Sequence, residues 1–99
     1  MTSIAPQATI PYRVGAGDDK TYFDEGTNIV IFIECADETI PLEISLASAD
    51  GSEVINSYRV ESAEQTTITL TIPNDGNYLI VVKNESLSRT QEYALTIAY

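Results

Sequence analysis

The sequence predicts an all-β protein, a two-sheet antiparallel β-sandwich of about eight strands. Three observations carry this. Apolar and polar residues alternate with period two, as in "QTTITLTI" (65–72), where Ile68, Leu70 and Ile72 alternate with Thr67, Thr69 and Thr71. Clusters of Gly, Asp, Asn and Pro interrupt these runs at spacings of roughly 8–12 residues, the rhythm of a sandwich. No segment sustains a 3.6-residue period, and helix-forming Ala, Leu and Lys are nowhere concentrated.

Taken in order, the strands begin with "TIPYRV" (9–14), "KTYFD" (20–24) and "NIVIFIEC" (28–35). "IPLEISLAS" (40–48), "SEVINSYRV" (52–60), "QTTITLTI" (65–72), "NYLIVVKN" (77–84) and "EYALTIAY" (92–99) follow. The breakers "GAGDD", "DEGT", "ADET", "ADG", "ESAE" and "PNDG" separate them. Leu42, Ile44 and Leu46 are expected inward, with Glu43 and Ser45 outward. Tyr93, Leu95, Ile97 and Tyr99 are expected on one face, with Ala94, Thr96 and Ala98 on the other. Tyr12 and Tyr78 also fall in phase with core residues, and Tyr58 falls in phase with Val54 and Val60. Pro41 cannot donate to a ladder, which places it at a strand edge or start.

Two strands are apolar on both faces. "NIVIFIEC" adds Val30 and Phe32 on its second face, and "NYLIVVKN" adds Leu79 and Val81. If both strands share one sheet, these four side chains form an apolar interaction patch. Its cover would be the N-terminal arm (1–8), through Ile4 and Pro6, or a second molecule, which includes a homo-oligomer. A bulge that turns Leu79 or Val81 inward is the alternative.

The chain has 99 residues, enough for one small domain. A fraction of 43% hydrophobic residues suits a folded domain rather than a disordered one. Five Lys and Arg against fifteen Asp and Glu give a formal net charge of -10, which disfavours nucleic acid and acidic membranes as partners. Such a surface suits a basic partner or a divalent cation. No apolar run approaches the length of about 20 residues that spans a bilayer. "MTSIAPQATI" has no basic n-region or long apolar stretch. The expected location is secreted or extracellular if the chain comes from a longer precursor in which Met1 is not the native start, and cytoplasmic otherwise.

Cys35, the single cysteine, lies in phase with Ile29, Ile31 and Ile33 and reads as a core residue. Histidine is absent, which removes His-based triads and the commonest metal ligand. Carboxylate pairs such as Glu34 with Glu43 arise by chance among fifteen acids, and no motif positions a base beside a nucleophile. The chain is not expected to be an enzyme.

"GAGDDKTYFDEGTNIVIFI" (15–33) resembles the opening of the bacterial pre-peptidase C-terminal domain. That opening is a Gly-Asp turn, an aromatic strand near Tyr22-Phe23-Asp24, then Gly26-Thr27 and an alternating strand. The family's closing pattern is similar to Ile68–Ile72, Pro73, Gly76-Asn77-Tyr78, Val81-Val82 and Tyr93-Ala94-Leu95-Thr96-Ile97, with an Asp-Gly turn at Asp50-Gly51 between. The resemblance covers nearly the whole chain from Ala8. It implies a jelly-roll-like sandwich of the kind appended to secreted bacterial peptidases, non-catalytic, with some relatives binding calcium and adhering to insoluble polymer such as collagen. Where relatives carry an acidic motif in the middle strand, this chain has Ile40-Pro41-Leu42-Glu43-Ile44, with no carboxylate before Leu42.

Under this reading the chain is an accessory, adhesion or binding module for a protein or insoluble polymer, with no required cofactor. A free-standing interaction protein, such as an assembly subunit or inhibitor, is the rival class. Calcium is the candidate ion. Asp18 and Asp19 in one turn and Asp37 and Glu38 in another could supply oxygens at one end of the sandwich, beside the reading as solvated loop acids. The six tyrosines read mostly as core rather than as a sugar platform, since Trp is absent. Asn84-Glu85-Ser86 fits a glycosylation acceptor.

Overall fold

The computed structural model describes residues 1–61 and 63–99. Nine strands are present among them: β1 (Thr2–Ile4), β2 (Thr9–Tyr12), β3 (Tyr22–Phe23), β4 (Asn28–Cys35), β5 (Leu42–Ser48), β6 (Val54–Val60), β7 (Thr66–Thr71), β8 (Gly76–Asn84) and β9 (Gln91–Ala98). One sheet runs β1-β9-β4-β7. The other runs β2-β8-β5-β6, with β3 pairing the start of β8. All pairs are antiparallel.

The pairing is nested. β5 pairs β6, β4 pairs β7, β2 and β3 pair β8, and β1 pairs β9. This is one long antiparallel ribbon whose tip is the β5–β6 turn. The ribbon is rolled so that its halves alternate between two sheets, which is the jelly-roll arrangement. β6 and β7, adjacent in sequence, become the edges on one side of the sandwich.

Period-two alternation fills the space between the sheets. Ile29, Ile31 and Ile33 of β4, Leu42, Ile44 and Leu46 of β5, Leu70 of β7, Ile80 and Val82 of β8, and Tyr93 of β9 are all fully buried. Cys35 joins them, and burial pushes its thiol pKa up. β5 starts immediately after Pro41, as that residue requires.

The N-terminal arm departs from expectation. Residues 2–4 form β1 against β9, and Ile4 enters the core at 1% exposure instead of lying across an outer face. Tyr99, expected inward, is exposed because β9 makes its last pair at Ala98 with Val30. Its ring meets Phe23 edge-on at 5.4 Å, and its hydroxyl donates to the Val14 carbonyl. Val54 and Tyr58 do not share a face. The register shifts so that Val54 opposes Ala47 while Asn56 opposes Leu46, leaving Ile55 as the extra residue of a bulge.

Two buried amides close the end of the sandwich where β4 hands over to β5. Asn84 Nδ2 donates to the carbonyls of Ile4 (3.0 Å) and Arg89 (2.8 Å), and its Oδ1 accepts from Ser86 N. Gln91 Nε2 donates to the carbonyls of Asp37 (2.6 Å) and Ile40 (2.7 Å). Asn84 has no solvent exposure and its amide is fully engaged, so the Asn84-Glu85-Ser86 tripeptide offers no accessible glycosylation site.

Candidate functional site

At the opposite end, the chain between β2 and β3 stands beside the β5–β6 turn and encloses a cleft of about 880 Å³. Local chemistry holds the 13–21 loop tightly. Gly15 N donates to Lys20 O at 2.8 Å, and Ala16 and Tyr22 exchange backbone bonds of 2.8 and 2.9 Å. A Cβ on Gly15 would sit 2.7 Å from the Thr21 backbone, so only glycine fits. Lys20 adopts a left-handed conformation at φ 57°. Asn77 fastens the loop to the turn, since Thr21 Oγ1 donates to its side chain (3.0 Å) and Ala49 N to its carbonyl (3.0 Å).

Charged groups of both signs meet in this cleft: Arg13 and Lys20 with Asp18, Asp19 and Asp50. Asp50 is fixed by its own turn. Its Oδ1 accepts from Ser52 Oγ (2.6 Å), Ser52 N (2.9 Å) and Ser48 Oγ (2.8 Å). These bonds, led by the Ser52 hydroxyl, lower its carboxyl to about 2. Asp50 is thus a fixed anion on an open surface. Among the described residues neither Arg13 nor Lys20 joins an ion pair, whereas Arg89 pairs with Asp37 and Arg59 with Glu61.

The four acids that could have supplied oxygens at one end of the sandwich lie at opposite ends. Asp18 and Asp19 line the cleft, while Asp37 and Glu38 lie in the β4–β5 loop at the far end of β5. The seven residues of β5 separate the two pairs by about 20 Å. Asp37 is also occupied: Thr39 donates to it through N (2.9 Å) and Oγ1 (2.6 Å), and Arg89 Nη2 lies at 2.7 Å. The Thr39 bonds, then Arg89, hold its carboxyl below the usual range. Among the described residues no group of three or more Cys, Asp or Glu is placed to hold a metal ion.

The apolar patch divides in the same way. β4 and β8 lie in different sheets, so Val30 and Phe32 sit on one outer face of the sandwich and Leu79 and Val81 on the other. Val30 is flanked by Thr69 and Ala98, and Phe32 by Thr67 and Thr96. Leu79 opposes Ala47, and Val81 lies between Pro11 and Ser45. Neighbours on adjoining strands leave all four half-buried, with no fold-back arm and no bulge in β8.

Arg13, Lys20 and Asp50 did not stand out in the sequence as partners. The Asp-Gly-Ser turn at 50–52 was the available signal, because such an Asp bonds its own backbone two residues on. No protein-family model matches the chain, and no curated protein matches it.

Proposed function

We propose that this chain is a non-catalytic binding module of the pre-peptidase C-terminal kind, engaging a protein or insoluble polymer through the end cleft. The observation that carries the reading is the solvent-open set of Arg13, Lys20 and Asp50, with Asp50 fixed by its own turn, between two hydrogen-bonded loops. Catalysis needs a proton acceptor tuned near neutrality beside a reacting group. The Asp50 carboxyl in the cleft is pushed further from neutrality. A fixed anion beside solvent-open cations on a hydrogen-bonded rim suits recognition of a polar surface instead.

Co-sedimentation with fibrillar collagen, cellulose and chitin tests this. Retention by at least one polymer is expected, reduced at least fivefold in an Arg13→Ser, Lys20→Ser double variant that melts like the parent. Absence of retention at low salt, or retention indifferent to the double change, overturns the proposal.

A further inference from the structure

Among the described residues β1, β2, β3, β6 and β7 are the strands that border the two sheets, and all but β7 are protected against further pairing, β3 by its length of two residues. β1 is only three residues long, β2 carries Pro11, and β6 carries the bulge at Ile55 and the charge of Arg59. β7 has none of these devices. Its six residues, Thr66–Thr71, hold no charge and no proline, and they pair with β4 without a register shift.

The open side of β7 can be read from its ladder. Ile72 N donates to Thr27 O and Ile72 O accepts from Gly26 N, so both backbone groups of Ile72 face the β4 side. Antiparallel ladders alternate, which turns Leu70 and Ile68 toward β4 as well. The N–H and C=O groups of Thr67, Thr69 and Thr71 therefore point away from the sheet. Beside them lies an uncovered ledge. Tyr58 of β6 opposes buried Ile44 of β5, which puts it on the face turned toward the other sheet, yet it is 40% exposed while Val60 on that face is 1% exposed. The inner face of β6 extends past the cover that β7 provides.

We propose that β7 is a docking edge, at which an extended segment of another protein, apolar at alternate positions and flanked by Lys or Arg, adds a fifth strand. Thr67, Thr69 and Thr71 supply the backbone bonds, and alternate apolar side chains of the segment cover Tyr58. Two observations select this occupant over a second copy of the chain. A second copy would bring its own overhanging β6 into the same space. It would also bring another formal charge of -10, whereas a cationic segment is attracted. This edge is separate from the end cleft, so the inference stands or falls independently of the polymer test.

The probe is a synthetic peptide of alternating Val and Thr with Lys at both ends, followed by amide NMR and hydrogen exchange on the intact chain. The Thr67, Thr69 and Thr71 amides are expected to exchange fast in the free protein and to become protected on binding. Thr69→Pro removes one outward donor while sparing the ladder to β4, so it should weaken the peptide at least tenfold with the fold intact. Tyr58→Ser should weaken it at least threefold, and Glu in place of the peptide's Lys should abolish binding. Shift changes confined to the end cleft or to β6, affinity unchanged by Thr69→Pro, no binding at millimolar peptide, or dimerisation of the free chain in sedimentation would each overturn the proposal.

Discussion

Replacing Asn84 by Asp exchanges two amide protons for a carboxylate at a site without solvent exposure. Two donated bonds disappear, to the carbonyls of Ile4 and Arg89, and the new oxygen faces both acceptors. Each bond contributes about 1 kcal/mol net, and a buried carbonyl left unpaired costs about 1–3 kcal/mol. The expected loss at neutral pH is about 3–5 kcal/mol. A domain of this size shifts about 4–8 °C per kcal/mol, so melting should fall by at least about 12 °C. The pH dependence identifies the cause. Burial and the facing carbonyls raise the folded-state pKa of the introduced Asp, and its protonated form regains one donor. A raised folded-state pKa gives stability that is complete below the unfolded value of about 3.9 and is lost as pH rises through the folded one. Urea denaturation from pH 4 to pH 8 should show the deficit of Asn84→Asp widening, while that of Asn84→Ala stays constant. A deficit below about 1 kcal/mol at pH 7, or one independent of pH, would refute the role of Asn84 as the tie between the β8–β9 loop and β1.

Leu70, next to the end of β7, is fully buried, so Leu70→Ala should cost about 2–5 kcal/mol in equilibrium denaturation; a loss below about 1 kcal/mol would mean that the site collapses around the smaller side chain. Asp50 is lowered from 3.8 to about 2, so its contribution is present above the ordinary value and fades as pH falls toward 2. Asp50→Asn should flatten that acid limb of the stability curve in thermal melts, and an unchanged limb would sink the assignment.

Period-two alternation made the faces of β4, β5, β7 and β8 legible, because a one-residue slip would put every apolar side chain of a strand in water. Cys35 and Leu70 are both buried, as their phase in the alternation requires. Which sheet each strand joins was not legible, because alternation records the inward face of a strand but not its neighbours. That gap explains the division of Val30 and Phe32 from Leu79 and Val81, each pair flanked by small or threonine side chains in its own sheet. It also explains Asp18 and Asp19 lying far from Asp37 and Glu38, since chain distance says nothing about which end of a rolled ribbon a loop occupies. β1 escaped notice because three residues carry too little periodicity to register. The buried amides of Asn84 and Gln91 were invisible for another reason: a polar residue on a strand reads as solvated until the carbonyls that satisfy it are known.

The distribution of cations links the two surfaces. Five positive side chains serve a chain of net charge -10. Arg89 and Arg59 are engaged with Asp37 and Glu61, and Lys83 opposes Glu43 across the β5–β8 pair. Arg13 and Lys20 are left to the cleft, where Asp18, Asp19 and Asp50 offset their charge locally. A local arrangement of both signs acts over short range and fixes orientation. The surplus of negative charge acts over the Debye length, about 8 Å at physiological salt, and speeds the arrival of a basic segment at any exposed part of the molecule. β7 needs that help most, because its own residues carry no charge and its hydrogen bonds form only after contact. Raising the salt should therefore slow association at the β7 edge while leaving the lifetime of the paired strand nearly unchanged. For the polymer binding proposed at the cleft, which would use ionic contacts, both rates should respond.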